Sequence, residues 1–289
     1  MSEPHRYIII IGAMKSGTTT LFDVLARHPA IAPASYKEPG FFAFDDVWAQ
    51  GFDWFDTLFD FDPARHRYRL EASTDYTKAP FVTGVWDRMT ARPDVDLKLL
   101  YIVRDPLKRL ESHARHTERN RREIGRQVSP RPSHSFDAGI SPVSLAISAY
   151  ASQLDQYAEA RAQGRLHVLT LEALQADPDA ALAPVWAFLG LDPLALEGTL
   201  QASNAAGSQT RVHPLWAALT GIRPLLAAGK AVLPGGLRQA LRQRFRKRAV
   251  EVTGRFRLDP AETAFLEDFY KADHDRLRTD YGVDTSLWN

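Results

Sequence analysis

The sequence predicts a three-layer α/β/α protein built on a central parallel sheet of about five strands, and three observations carry that expectation. Short strand-like runs recur along the chain, the first of them β-branched, stretches with helical spacing separate them, and a glycine-bearing loop follows the first run directly. Strands that alternate with helices form a parallel sheet covered on both faces, because each crossover lays its helix against the sheet. At 289 residues the chain is long enough to bury a full core, and a single domain over residues 1–289 is expected.

Residues 7–11 read Tyr-Ile-Ile-Ile-Ile and stop at Gly12. So short an apolar run suits a buried first strand, not a signal segment or a membrane span. From Thr18, the apolar residues Leu21, Val24 and Leu25 keep helical spacing as far as His28-Pro29. Further strands are expected at residues 68–72, 97–103 and 166–171, and helices at 82–89, 107–120 and 143–162.

Residues 119–135 are basic and proline-bearing, and read as a long loop over the ligand-binding edge or as a plain solvated loop. Residues 215–250 read as a helical segment, apolar over 215–233 and strongly basic over 238–248. Peripheral membrane contact through residues 215–248, or a substrate lid, is one reading of it; a packed helical pair is the other.

Lysine and arginine total 36 against 35 acidic residues, so a net charge of +1 gives no global field for a nucleic-acid partner. Any anion site must be local. Cysteine is absent, which excludes disulfides, thiolate catalysis and cysteine-ligated metals, and fits a reducing, cytoplasmic setting.

The first strand runs into Gly12-Ala13-Met14-Lys15-Ser16-Gly17-Thr18-Thr19-Thr20. Backbone N–H groups at such a turn converge on an anion, and the helix that follows adds the positive end of its dipole. The fold expected is therefore P-loop-like. Loops that hydrolyse ATP or GTP carry lysine directly after the second glycine; here Thr18 holds that place and Lys15 lies two residues before Gly17. A lysine inside the loop suits a phosphosulfate donor, whose bridging oxygen gains charge as the S–O bond breaks. Such chemistry requires no metal.

A second anion site is expected where Ile102-Val103-Arg104-Asp105-Pro106 ends the strand over residues 97–103. Asp105 and Pro106 are suited to start a helix, Arg104 is then held at the strand's carboxyl edge, and Ser112 adds a hydroxyl in the second turn. A guanidinium with a hydroxyl there forms a phosphate clamp.

Together these residues resemble the superfamily of sulfotransferases that use 3′-phosphoadenosine 5′-phosphosulfate (PAPS). Its 5′-phosphosulfate loop is similar to Lys15-Ser16-Gly17-Thr18-Thr19-Thr20, and its 3′-phosphate motif to Arg104 with Ser112 eight residues on. The likeness is greatest to the branch of bacterial and glycosaminoglycan sulfotransferases, whose Glu-Pro-x-Phe-Phe segment resembles Glu38-Pro39-Gly40-Phe41-Phe42 and supplies the general base. Two further segments of that branch resemble Glu71-Ala72-Ser73-Thr74-Asp75-Tyr76 and Ser208-Gln209-Thr210-Arg211-Val212-His213-Pro214, the second of which closes over the nucleotide.

The resemblance implies sulfuryl transfer with Glu38 as base and Lys15 on the leaving oxygen. Ser16, Gly17, Thr18, Thr19, Thr20, Arg104, Ser112 and Arg211 would bind the donor, and adenosine 3′,5′-bisphosphate (PAP) would be released. Gly40, Ala43, Ala72 and Gln209 depart from residues common in the glycosaminoglycan enzymes, so a polysaccharide acceptor is not implied. The expected acceptor is a small molecule, lipid or carbohydrate, without an obligate protein partner, and Phe41, Phe42, Phe44, Trp48, Trp54 and Phe55 suggest an apolar entrance for it. His113 or His116 as base, a P-loop kinase, and a non-catalytic module that binds adenosine nucleotides are the competing readings.

Overall fold

The computed structural model describes residues 5–124, 142–194, 210–211, 248–249 and 257–288. The chain falls into two compact units, Met1–Ala202 with Phe256–Asn289, and Ser203–Arg255. The first unit holds a five-stranded sheet, every pair parallel, of β1 (His5–Gly12), β2 (Ile31–Pro33), β3 (Tyr68–Ala72), β4 (Val95–Val103) and β5 (Leu166–Thr170). The spatial order is β2-β3-β1-β4-β5, so the chain builds outward from β1 to one side and then to the other. The reversal falls between β1 and β4, the kind of switch point at which open α/β sheets leave a ligand crevice beyond their carboxyl ends.

Alternation along β1 divides the core in two. Ile8 and Ile10 face one side with Leu21 and Leu25 of α1 (Thr18–Leu25), while Tyr7, Ile9 and Ile11 pack on the other with Phe41, Phe42 and Phe55. The strand from residue 31 to 33 escapes sequence reading because three residues show no periodicity, and Pro33 suits it to a sheet edge.

The helix expected over residues 82–89 spans only Val85–Met89, because Gly84 before it takes a left-handed φ of 72°, and two further expected helices differ. After α2 (Asp45–Trp48), α3 (Gly51–Asp56) and α4 (Val85–Met89), helix α5 runs over Pro106–Ile124, beyond the expected end at 120. The start of the basic stretch is thus helical backbone, as its Glu- and Arg-rich composition favours. The helix expected over residues 143–162 is instead broken into α6 (Pro142–Ser148), α7 (Tyr150–Leu154), a 3₁₀ turn and α8 (Ala158–Ala162). Asp273 is the cause: its carboxylate accepts from the amides of Ala151 and Ser152 at 3.0 and 2.8 Å, capping α7 from a helix more than a hundred residues away.

The unit is completed by α9 (Leu171–Ala176), α10 (Pro178–Leu189) and α11 (Pro260–Tyr281), the last opened by a capping box between Asp259 and Glu262. In the second unit, β6 (Thr210–Arg211) pairs antiparallel with β7 (Arg248–Ala249). Residues 212–247, most of the segment read as basic and amphipathic, lie outside the described residues, as do residues 125–141.

Candidate active site

The loop after β1 is shaped by its glycines. Gly12 and Gly17 have φ of 150° and 93°, and a Cβ on Gly12 would meet Thr77 Oγ1 at 2.2 Å. Lys15 also takes a left-handed φ of 70°, unusual for a residue with a side chain. The Ala13 amide donates to Ile102 O at 2.7 Å, which moors the loop to β4 beside Arg104. Leu21 is the first amide of α1 to find a backbone acceptor, Gly17 O, so the first-turn amides are left for an anion.

Ser16 is fully buried. Its Oγ and the Tyr150 hydroxyl have no partner in hydrogen-bonding geometry, although they lie close enough to influence one another.

Arg104 stands just past the end of β4, with its Nε buried, unbonded and 3.9 Å from Glu172 Oε1. Asp105 starts α5 as expected, its Oδ1 accepting from the Leu107 and Lys108 amides at 2.8 and 3.1 Å. Ser112 is half-buried on that helix. The loop and Arg104 thus occupy the carboxyl ends of adjacent strands, at the switch point. Arg211 lies in β6 of the second unit, and its side chain is outside the described residues.

Glu38 is exposed, in a left-handed turn with φ 57°. Its amide donates to Ala72 O at 2.9 Å, and its Oε1 accepts from Thr74 Oγ1 at 3.3 Å, so the carboxylate is pinned at the end of β3. Lys37 turns the other way: its Nζ donates to Thr19 Oγ1 at 2.9 Å, at the start of α1. Burial pulls the Lys37 ammonium below its usual range, against the opposing charges of Glu38, Asp23 and Glu71. The segment therefore bridges the start of α1 and the end of β3.

The expected apolar entrance is corrected by this geometry. Phe41, Phe42 and Phe55 have zero exposure and form a stacked and edge-on cluster in the core, with Trp48 and Trp54 packed against it. Only Phe44 of that group is exposed, at 41%, and it lies over Gly40, where a Cβ would meet Phe44 Cδ2 at 2.5 Å.

His113 is held neutral, its pKa lowered to about 3 by burial and then by the cations Arg109, His116, Lys15 and Lys78. Lys15 of the loop is thus among the cations that act on His113.

A family model described as a sulfotransferase domain matches residues 5–211. The chain belongs to the sulfotransferase family. Among curated sulfotransferases, heparan sulfate glucosamine 3-O-sulfotransferase 5 of Mus musculus is 25% identical over 227 residues, covering 71% of this chain and 64% of the relative. Heparan sulfate glucosamine 3-O-sulfotransferase 3A1 of Mus musculus is 30% identical over 189 residues, covering 63% and 45%. This sulfotransferase chain thus spans less than two thirds of the length of either relative. A solved sulfotransferase from Alicyclobacillus acidocaldarius shares the fold, with a TM-score of 0.61 and 21% identity over 100% of this chain and 99% of that one.

Sequence reasoning passed over a second carboxylate of this sulfotransferase site. Glu71, at the end of β3, has zero exposure; its Oε1 accepts from Ser73 Oγ at 2.5 Å, while Oε2 has no partner. Ser73 Oγ in turn accepts from the Gly40 amide at 3.0 Å, which ties Glu71 to the Glu38 turn. Burial raises the Glu71 pKa from 4.5 to about 8, against the Ser73 and Tyr76 hydroxyls, with the charge of Glu38 adding to the rise.

A raised folded-state pKa contributes stability that is complete below the unfolded value and is lost as pH climbs through the folded one. Glu71→Gln is therefore expected to be more stable than the parent at pH 8.5, by up to roughly 5 kcal/mol, and to match it near pH 4.5. Urea unfolding across that range measures the difference. A gap that does not change with pH would show that Glu71 is not buried as an acid.

Proposed function

We propose that this sulfotransferase moves a sulfuryl group from PAPS to a hydroxyl, less readily an amine, of a carbohydrate or small amphiphilic acceptor. The observation that carries the reading is the placement of Lys15 inside a loop whose helix-start amides have no backbone acceptor among the described residues, with the Glu38 carboxylate pinned at the end of the neighbouring strand β3. A kinase reading has no lysine after Gly17 to stand on.

In this reading the loop amides, Ser16, Gly17, Thr18, Thr19 and Thr20 hold the 5′-phosphosulfate, and Arg104 and Ser112 hold the 3′-phosphate. The buried Ser16 Oγ and Arg104 Nε, both without hydrogen-bond partners, are donors suited to those anionic oxygens.

Glu38 takes the acceptor's proton as the acceptor oxygen bonds to sulfur. The bond from sulfur to the bridging oxygen breaks, its electron pair stays on the phosphate, and Lys15 stabilises the charge that develops there. Lys37, already on Thr19, supplies a second cation at the same end of α1.

The named relatives act on glucosamine units of heparan sulfate, which makes an amino sugar the first acceptor to try. Phe44 fills the room that a side chain at position 40 would need, so an exposed aromatic ring flanks the base and suits an apolar sugar face or a small amphiphile.

The test is incubation with PAPS and a panel of sugars, glycolipids and phenols, followed by mass spectrometry. A product heavier by one sulfuryl group is expected. PAP binding without transfer to any acceptor would favour the non-catalytic module instead.

A further inference from the structure

Arg109, on α5, is buried to zero exposure, yet no carboxylate lies within ion-pair reach of it among the described residues. Its five N–H donors meet five neutral acceptors. Nε donates to Ser148 Oγ at 2.6 Å; Nη2 donates to Ser144 O and Ser144 Oγ at 2.6 and 2.9 Å; Nη1 donates to Met14 O at 3.5 Å and to His113 Nδ1 at 3.4 Å. Met14 belongs to the phosphate loop, and Ser144 and Ser148 to α6.

A cage of dipoles satisfies the geometry of a guanidinium but does not cancel its charge. A side chain that stays protonated at any accessible pH therefore keeps a full positive charge in a medium that screens it poorly. Such burial is costly when no counter-ion is present. The loop that its Nη1 reaches through Met14 O is one of the two anion sites read from the sequence.

We propose that Arg109 is a positioning residue whose counter-ion is the bound donor: its caged charge draws the anionic nucleotide to the loop, and its bond to Met14 O holds the loop in shape. The inference rests on the donor reading above. It goes further in assigning the loop a buried cation that makes no contact with solvent. It also accounts for His113, which lends its Nδ1 to Arg109 and to Ser144 Oγ and whose pKa is lowered by burial first and by the charge of Arg109 next.

Calorimetry with PAP on the full chain, at low and high salt, tests the idea alongside melting temperatures. Arg109→Gln removes the charge and keeps polar contacts; Arg109→Lys keeps the charge and loses most of the cage. The glutamine variant is expected to bind PAP about 10–100-fold more weakly, to lose part of the salt dependence, and to melt no lower than the parent when empty. The lysine variant should recover affinity to within about fivefold of the parent.

A folded glutamine variant that binds PAP like the parent would overturn the proposal. Should the glutamine variant not fold, a lysine variant weakened more than about fiftyfold would overturn it equally, since charge alone would then not suffice. A parent chain without affinity for PAP would sink the donor reading itself, and this inference with it.

Discussion

Glu38→Gln is expected to lower the turnover of sulfuryl transfer by about 10²–10⁴-fold, the usual contribution of a positioned base, while leaving PAP affinity unchanged. The substitution keeps the side chain's size and its bond from Thr74 Oγ1, but the amide cannot take the acceptor's proton. The split between turnover and donor affinity follows from the fold. Glu38 sits in a turn fixed to β3 through the Ala72 carbonyl, whereas the donor-side groups lie in the loop between β1 and α1, in the first turn of α1, just past β4 and on α5. Steady-state kinetics with saturating PAPS, paired with PAP calorimetry, reads both quantities. Near-normal turnover with intact PAP binding would remove Glu38 from the mechanism.

Lys15→Met is expected to cut turnover by about 10²-fold or more, corresponding to the ~3 kcal/mol typically lost with one preorganised charge donor at a developing anion. Methionine is unbranched at Cβ like lysine and meets the left-handed φ at the same cost, so the loop keeps its backbone while the ammonium is removed. PAP is the product and no longer has the bond that breaks, so its affinity should fall far less than turnover. An acceptor with a more acidic hydroxyl should rescue Glu38→Gln and leave Lys15→Met impaired, because the two residues act at opposite ends of the transferred group. Equal rescue of both would show that the roles are wrongly divided.

The parts of this site that can be read from the sequence are those whose physics is local. Four of the five strands show as short runs bounded by turn residues, the first of them β-branched, and the loop is announced by Gly12 and Gly17, whose backbone angles suit glycine. The Asp105-Pro106 start of α5 shows for the same reason, since capping is settled within a turn of helix.

What escaped depends on partners far along the chain. Arg109 is one basic residue in a helix rich in them, and nothing in its neighbourhood says that Ser144, Ser148 and Met14 will enclose it. Helix α7 starts where it does because Asp273 reaches it from α11. Glu71 did leave a signal: a carboxylate within a strand covered on both faces must be buried, and so must carry a displaced pKa. The aromatic run from Phe41 onward misled because rings that line an entrance and rings that fill a core have the same composition.

The claim on which the rest depends is that the loop after β1 and Arg104, at the carboxyl ends of adjacent strands, together hold a nucleotide with two separate anionic ends. Calorimetry comparing PAP with adenosine 5′-monophosphate, without added metal, tests it most directly. The account predicts that PAP binds at least about tenfold more tightly, that Arg104→Ala abolishes most of the difference, and that ATP with magnesium does not compete. Equal affinity for the two adenosine nucleotides, or no measurable binding of PAP, would contradict it.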